Sequence, residues 1–111
     1  MQQMSTEQHP DVAIVLSTFP STETAEAAIR SLVEEGRIAC GTLLPGAVSI
    51  YRWNGAIERS MEVQALLKVR ASAVQDVVDR LAALHPYDVP EIVSLPVSGG
   101  FAPYLQWVCG T

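Results

Sequence analysis

Cys40, Cys109, His9 and His85 are the side chains of this sequence best suited to holding a metal ion or attacking an electrophile. Their spacing builds no local site. There is no CxxC pair, no zinc-finger pattern and no HExxH helix. GxSxG, a Walker loop and GxGxxG are missing as well, so no catalytic signature is present and a non-enzymatic role is expected. Cysteine–histidine nucleophile chemistry would need Cys40 or Cys109 to meet His85 in the fold. His85 follows Leu81 by four residues and Val78 by seven, at the end of an apolar helical stripe. Two roles fit it: a packed group closing the helix on its last carbonyls, or a ligand or pH-responsive group. Cys40 stands among small apolar residues and reads as an inert buried thiol. His9 reads as solvated.

Glu62 and Lys68 lie on one face of a strand pattern but six residues apart, ~20 Å along a strand, so they cannot pair within it. They are either solvated or structural charges, or parts of a cleft between subunits. Tyr51, Trp53, Tyr87, Tyr104 and Trp107 carry large apolar area with a polar handle and read first as interface packing. Glu91, after Pro90, could complete the same cleft.

Length and charge limit the partners. With 111 residues the chain is one domain. It carries 12 acidic against 7 basic residues, a net charge of −5, and no Lys/Arg cluster, which argues against a nucleic acid. The polar start (MQQMSTEQHP) has no apolar h-region, and no run approaches the ~20 residues of a membrane span. Two isolated thiols then point to reduced cysteines and the cytoplasm.

The elements that must position these residues follow from periodicity. Residues 1–10 are expected to be a flexible tail, and residues 11–111 the domain. Val12 to Leu16 is a β-rich run stopped by Thr18-Phe19-Pro20-Ser21. Ser21 or Thr22 can cap a helix whose stripe is Ala25, Ala28, Ile29, Leu32 and Val33, and Gly36 ends it. A strand spans roughly Ala39 to Trp53, with a bulge expected at Pro45-Gly46. Asn54-Gly55 is a hairpin turn. From Ile57 to Arg70 apolar and polar residues alternate for fourteen positions. Ser72-Ala73-Val74-Gln75 forms a capping box before the stripe Val74, Val77, Val78, Leu81 and Leu84. Ile92 to Val97 is a fourth strand, and Phe101 to Val108 a short helical piece. The order is the ferredoxin-like βαββαβ pattern of the α+β class, with a long β2–β3 hairpin and a short C-terminal helix.

The hairpin is too long for its domain. Fourteen alternating residues span about 46 Å, against ~35 Å across a compact domain of this size. A two-residue turn sets Tyr51 opposite Glu58, Ile50 opposite Arg59 and Val48 opposite Met61. Ile50 and Met61 then lie on the overhang, and packing against further copies would cover them. The other solution is a bulge near Ser60 that curls the ribbon back.

Taken together, Tyr51-Arg52-Trp53-Asn54-Gly55, Glu62-Val63-Gln64 with Lys68, Ile38-Ala39-Cys40, Leu44-Pro45-Gly46, His85-Pro86-Tyr87 with Pro90-Glu91, and Tyr104-Leu105-Gln106-Trp107 resemble the CutA divalent-cation-tolerance proteins. The resemblance runs over residues ~12 to 108. It implies a ferredoxin-like fold, a homotrimer with PII-like architecture, and a response to divalent ions, notably copper. It implies no required cofactor. Of that family's proposed copper ligands, His85 remains; Ser17 stands in place of a cysteine and Leu84 in place of a second histidine. Thiolate is the better ligand for such metals, so the substitution weakens the site. The resemblance also sets Tyr51, Trp53, Glu62, Lys68, Tyr87, Glu91, Tyr104 and Trp107 along inter-subunit clefts. A second function is a PII-like sensor taking a small anion or metabolite near Lys68 and Arg70, and a third is a purely structural assembly module.

Overall fold

A computed structural model describes residues 11–111. The expected tail over residues 1–10, with His9, lies outside them. Strand β1 (Val12–Phe19) leads into helix α1 (Thr22–Glu34), strand β2 (Cys40–Trp53), strand β3 (Ala56–Arg70), helix α2 (Val74–Leu84), strand β4 (Ile92–Pro96) and helix α3 (Ala102–Gly110). The four strands form one sheet in the order β2-β3-β1-β4, antiparallel at every pairing. β3 is thus inserted between β1 and β2, as the ferredoxin-like pattern requires.

Local chemistry explains most boundaries. Ser21 caps α1: its hydroxyl accepts from the Thr24 amide at 3.1 Å, satisfying one of the free N–H groups of the first turn. Asn54 (φ 50°) and Gly55 (φ 79°) take the left-handed geometry that a tight hairpin turn needs. The register behind that turn pairs Tyr51 with Glu58, Ile50 with Arg59 and Val48 with Met61, as expected. The bulge falls between Leu44 and Ala47. Pro45 donates no ladder bond, and β2 is an edge strand where that costs little.

Three expectations are corrected. β1 runs on through Phe19, because Ser17, Thr18 and Phe19 pair with Ala65, Gln64 and Val63 of β3. The Ser72 capping box does not form. A 3₁₀ turn, Ala71–Ala73, precedes α2, and the Val74 amide bonds the Ala71 carbonyl, so backbone does the work assigned to the serine. Val33 is exposed at the rim of α1 while Ala25, Ala28, Ile29 and Leu32 are buried.

The main core lies between the sheet and helices α1 and α2. Phe19, Leu32, Leu67, Leu81, Val15, Val69 and Val77 are fully buried there. A smaller cluster, Val12, Ala39, Leu105 and Val108, seats α3 on the far side of the sheet. At the solvent edge Glu35 accepts from Arg80 (2.8 Å) and Arg37 (2.7 Å), and Arg37 also reaches Asp76 at 2.6 Å, which ties the end of α1 to α2. The Arg80 and Arg37 bonds hold the Glu35 carboxyl down at about 2. Its contribution is therefore complete above ordinary carboxylate values and is lost only as pH falls toward 2.

Ser17 is the odd residue of the core. It is fully buried on the helix side of β1, opposite Ala65, and among the described residues its hydroxyl has no hydrogen-bond partner. An unmet buried hydroxyl costs about 1–3 kcal/mol. Ser17→Ala is therefore expected to stabilise the fold by about 1 kcal/mol, read as a raised denaturant midpoint; a lowered midpoint would show that the hydroxyl is satisfied after all.

The ribbon does not curl back. No register shift interrupts it at Ser60, and the molecule measures 56 × 28 × 23 Å. Along one face of β3, Val63, Ala65, Leu67 and Val69 are buried under the helices. The same face continues into Met61 (61% exposed) and Ile57 (64%), flanked by Ile50 (69%) on β2. The pattern is continuous, and only its cover stops.

Candidate functional site

The sheet's other face carries the polar alternates. Ser49, Tyr51 and Trp53 of β2 share it with Ser60 and Glu62 of β3, by their register across the hairpin. The loop after α2 folds over this face and brings Tyr87 onto Glu62: the phenol donates to the carboxylate at 2.9 Å. The Tyr51 and Ser60 hydroxyls meet at 2.8 Å. Between ribbon and loop lies an open groove of about 970 Å³, lined by Thr18, Tyr51, Ser60, Glu62, Tyr87 and Glu91 among others. Trp53 and Asp88 also border it.

His85 anchors this loop from beneath. Its ring is buried, stacks on Phe19 with centroids 4.4 Å apart, and lies 5.0 Å from the Tyr87 ring. The Tyr87 amide donates to Nδ1 at 3.1 Å. The proton therefore sits on Nε2, which donates to the Thr18 carbonyl at 2.8 Å. Both nitrogens are engaged, and a metal ion could take one only by breaking a bond. The partner is a strand carbonyl rather than the helix's own last carbonyls, because α2 ends at Leu84 and the chain turns extended at His85.

Burial lowers the His85 pKa from its ordinary 6.5; the Thr18 bond and the nearby Glu62 charge oppose this only in part. Protonation would also turn Nδ1 from acceptor to donor, facing the Tyr87 N–H. The unfolded chain thus binds the proton more readily than the folded one. His85's contribution to stability is expected to be whole above 6.5 and to fall as pH drops below it. Denaturant midpoints from pH ~8 to ~5 should decline in the wild type and stay nearly flat, from a lower start, in His85→Phe. Parallel curves would contradict this. Tyr87 is pushed up to about 12, first by burial and then by its bond to Glu62, so it remains a neutral donor.

Within one chain the eight residues expected along inter-subunit clefts divide into two places. Tyr51, Trp53, Glu62, Tyr87 and Glu91 meet at the groove. Lys68, Tyr104 and Trp107 do not. Lys68 bonds the Thr42 hydroxyl, and the Tyr104 hydroxyl lies 3.7 Å from the Cys40 sulfur. The Tyr104 and Trp107 rings lie 5.8 Å apart on α3. The reason is distance along β3, which separates Glu62 from Lys68 within one chain. Cys40 is only partly buried, because it faces this tyrosine at the sheet edge instead of entering the core. Cys109 reaches the Asp11 carbonyl at 3.5 Å, so neither thiol is among His85's hydrogen-bond or ring partners. Ser60 and Ser49 were missed, although the Asn54-Gly55 register placed them opposite one another beside Tyr51. Thr18 left no trace in the sequence, since its part is played by a backbone carbonyl. Among the described residues no three His, Cys, Asp or Glu side chains come together to hold a metal ion.

A four-stranded antiparallel sheet, two helices on one face, a third on the other and an overlong hairpin define an α+β protein of the ferredoxin-like class. Comparison with known proteins narrows this. Residues 13–111 match the family model described as CutA1 divalent ion tolerance protein. The divalent-cation tolerance protein CutA of Pectobacterium atrosepticum is 45% identical over 98 residues, covering 88% of this chain and 89% of that protein. The crystal structure of CutA from Xylella fastidiosa superposes with a TM-score of 0.85 at 47% identity, over 87% of this chain and 93% of that one. A structure titled periplasmic divalent cation tolerance protein CutA, from Archaeoglobus fulgidus, gives a TM-score of 0.84 at 31% identity, over 87% and 94% of the two chains. The chain belongs to the CutA divalent-cation-tolerance family.

Proposed function

We propose that this protein acts as a homotrimer in the response to divalent metal ions, copper foremost, and that it does so by binding a ligand in the groove beside the ribbon rather than by catalysis. The observation that carries this is the ribbon's uncovered stripe of Ile50, Ile57 and Met61, which continues the core face without a cover. Further copies of the same chain are the partners that would cover it. The relatives' shared description supports the tolerance role. No helix among the described residues is long and apolar enough to cross a membrane. The two free cysteines favour a reducing compartment, and we place the protein in the cytoplasm, although one structural relative is titled periplasmic.

Direct copper ligation at His85 has one test. Untagged protein is titrated with Cu²⁺ and Zn²⁺ by calorimetry near neutral pH. Saturable binding that His85→Ala abolishes supports it; equal binding by the variant removes it. The engaged ring and the replacement of a thiolate by Ser17 favour a second reading, a PII-like small-molecule sensor. A thermal-shift screen of metals, nucleotides and organic acids separates the two, since only the sensor responds to metal-free metabolites.

A further inference from the structure

The groove's lining is chemically lopsided. Among the described residues it carries three carboxylates, Glu62, Asp88 and Glu91, and no lysine, arginine or histidine. Arg52 and Arg59, the nearest basic residues along the ribbon, fall on its other face by strand alternation. Three aromatic side chains border the same space with their surfaces partly open: Tyr51, Trp53 and Tyr87. The hydroxyls of both tyrosines are already bonded, to Ser60 and Glu62, which restrains the rings, and the parts of the rings that stay exposed are the free contact surface.

We infer that this groove takes an organic cation of diffuse charge, such as a quaternary ammonium group, in preference to a compact metal ion or an anion. The inference rests on the groove being the ligand site. A metal ion needs three or more ligands converging within bonding distance, and these carboxylates do not converge. An anion would meet three like charges and, within the lining that this chain's described residues supply, no counter-charge. A weakly hydrated ammonium needs neither convergence nor dehydration of a small ion. It is attracted to aromatic faces by their quadrupole and to carboxylates at a distance. The groove's volume suits a ligand of metabolite size.

The test uses the full chain with choline as probe, read by NMR on the tryptophan indole and groove amides. The control is choline's neutral isostere, in which carbon replaces the ammonium nitrogen. Choline is expected to bind saturably with shifts at Tyr51, Trp53 and Tyr87, and the isostere at least about tenfold more weakly. Trp53→Ala and Glu91→Gln alter exposed side chains, leave the core untouched, and should each weaken choline several-fold. If the isostere or ATP binds the same residues as tightly, or Mg²⁺ displaces choline at matching concentration, the groove remains a ligand site and the cation preference fails. If no probe, charged or neutral, shifts the groove resonances, both the preference and the ligand site fail.

Discussion

Replacing Ile50 and Met61 together by aspartate is expected to leave a folded particle of 12.0 kDa, where the proposed homotrimer of the wild type would scatter as three times that mass. In the single chain these side chains are 69% and 61% exposed, so the substitution removes nothing from the monomer's own core. In the proposed assembly each would be covered by a neighbour, and burial of such a side chain contributes about 1.5–3 kcal/mol. An aspartate there also carries an unpaired charge out of water, which costs more than the lost contact. The same change occurs in every copy, so the self-association constant should fall by several orders of magnitude. Light scattering gives the mass, and circular dichroism confirms the fold. A wild type that is already 12.0 kDa at micromolar concentration would remove the basis of the proposal.

Phe19→Ala is expected to be the most damaging single substitution at the site, at about 3–5 kcal/mol. Phe19 ends β1, is fully buried, and pairs with Val63 across the sheet. Its ring also carries the His85 imidazole in a stacked contact at 4.4 Å. Truncation opens a cavity and removes the floor on which His85 orders the Thr18 carbonyl and the Tyr87 amide. The loss should therefore appear twice: in the denaturant midpoint, and in faster amide exchange at Tyr87. Val33→Ala, on the exposed rim of α1, serves as the comparison and should change stability by less than about 0.5 kcal/mol. Equal effects from the two would mean that Phe19 does not support the loop.

Reading the chain alone was most successful where neighbours in sequence are neighbours in space. The Asn54-Gly55 turn forced its register on both strands of the hairpin, and the bulge fell at Pro45-Gly46 because proline cannot donate to a ladder. The capping box failed for the converse reason. Ser72 has the right spacing, but the Ala71 amide is drawn to the Asp11 carbonyl, and the chain satisfies itself through backbone in a tight turn. The family motifs pointed to eight residues along inter-subunit clefts, and within a single chain five of them already meet at one groove.

Two periodicities, one turn and the run of apolar positions settled the order of elements, the ferredoxin-like layering and the surplus length of the ribbon, since each depends on contacts only a few residues apart. Tertiary structure alone decided that His85 is a neutral linchpin with both nitrogens occupied, that Tyr87 closes on Glu62, and that Lys68 and Tyr104 stand elsewhere. Apart from the Tyr87 amide, two residues from His85, the partners in those outcomes lie 25 to 67 positions away along the chain. Spacing in a sequence carries no information about which of many distant groups will arrive within 3 Å of a side chain; only the packed sheet and its covering loop supply that.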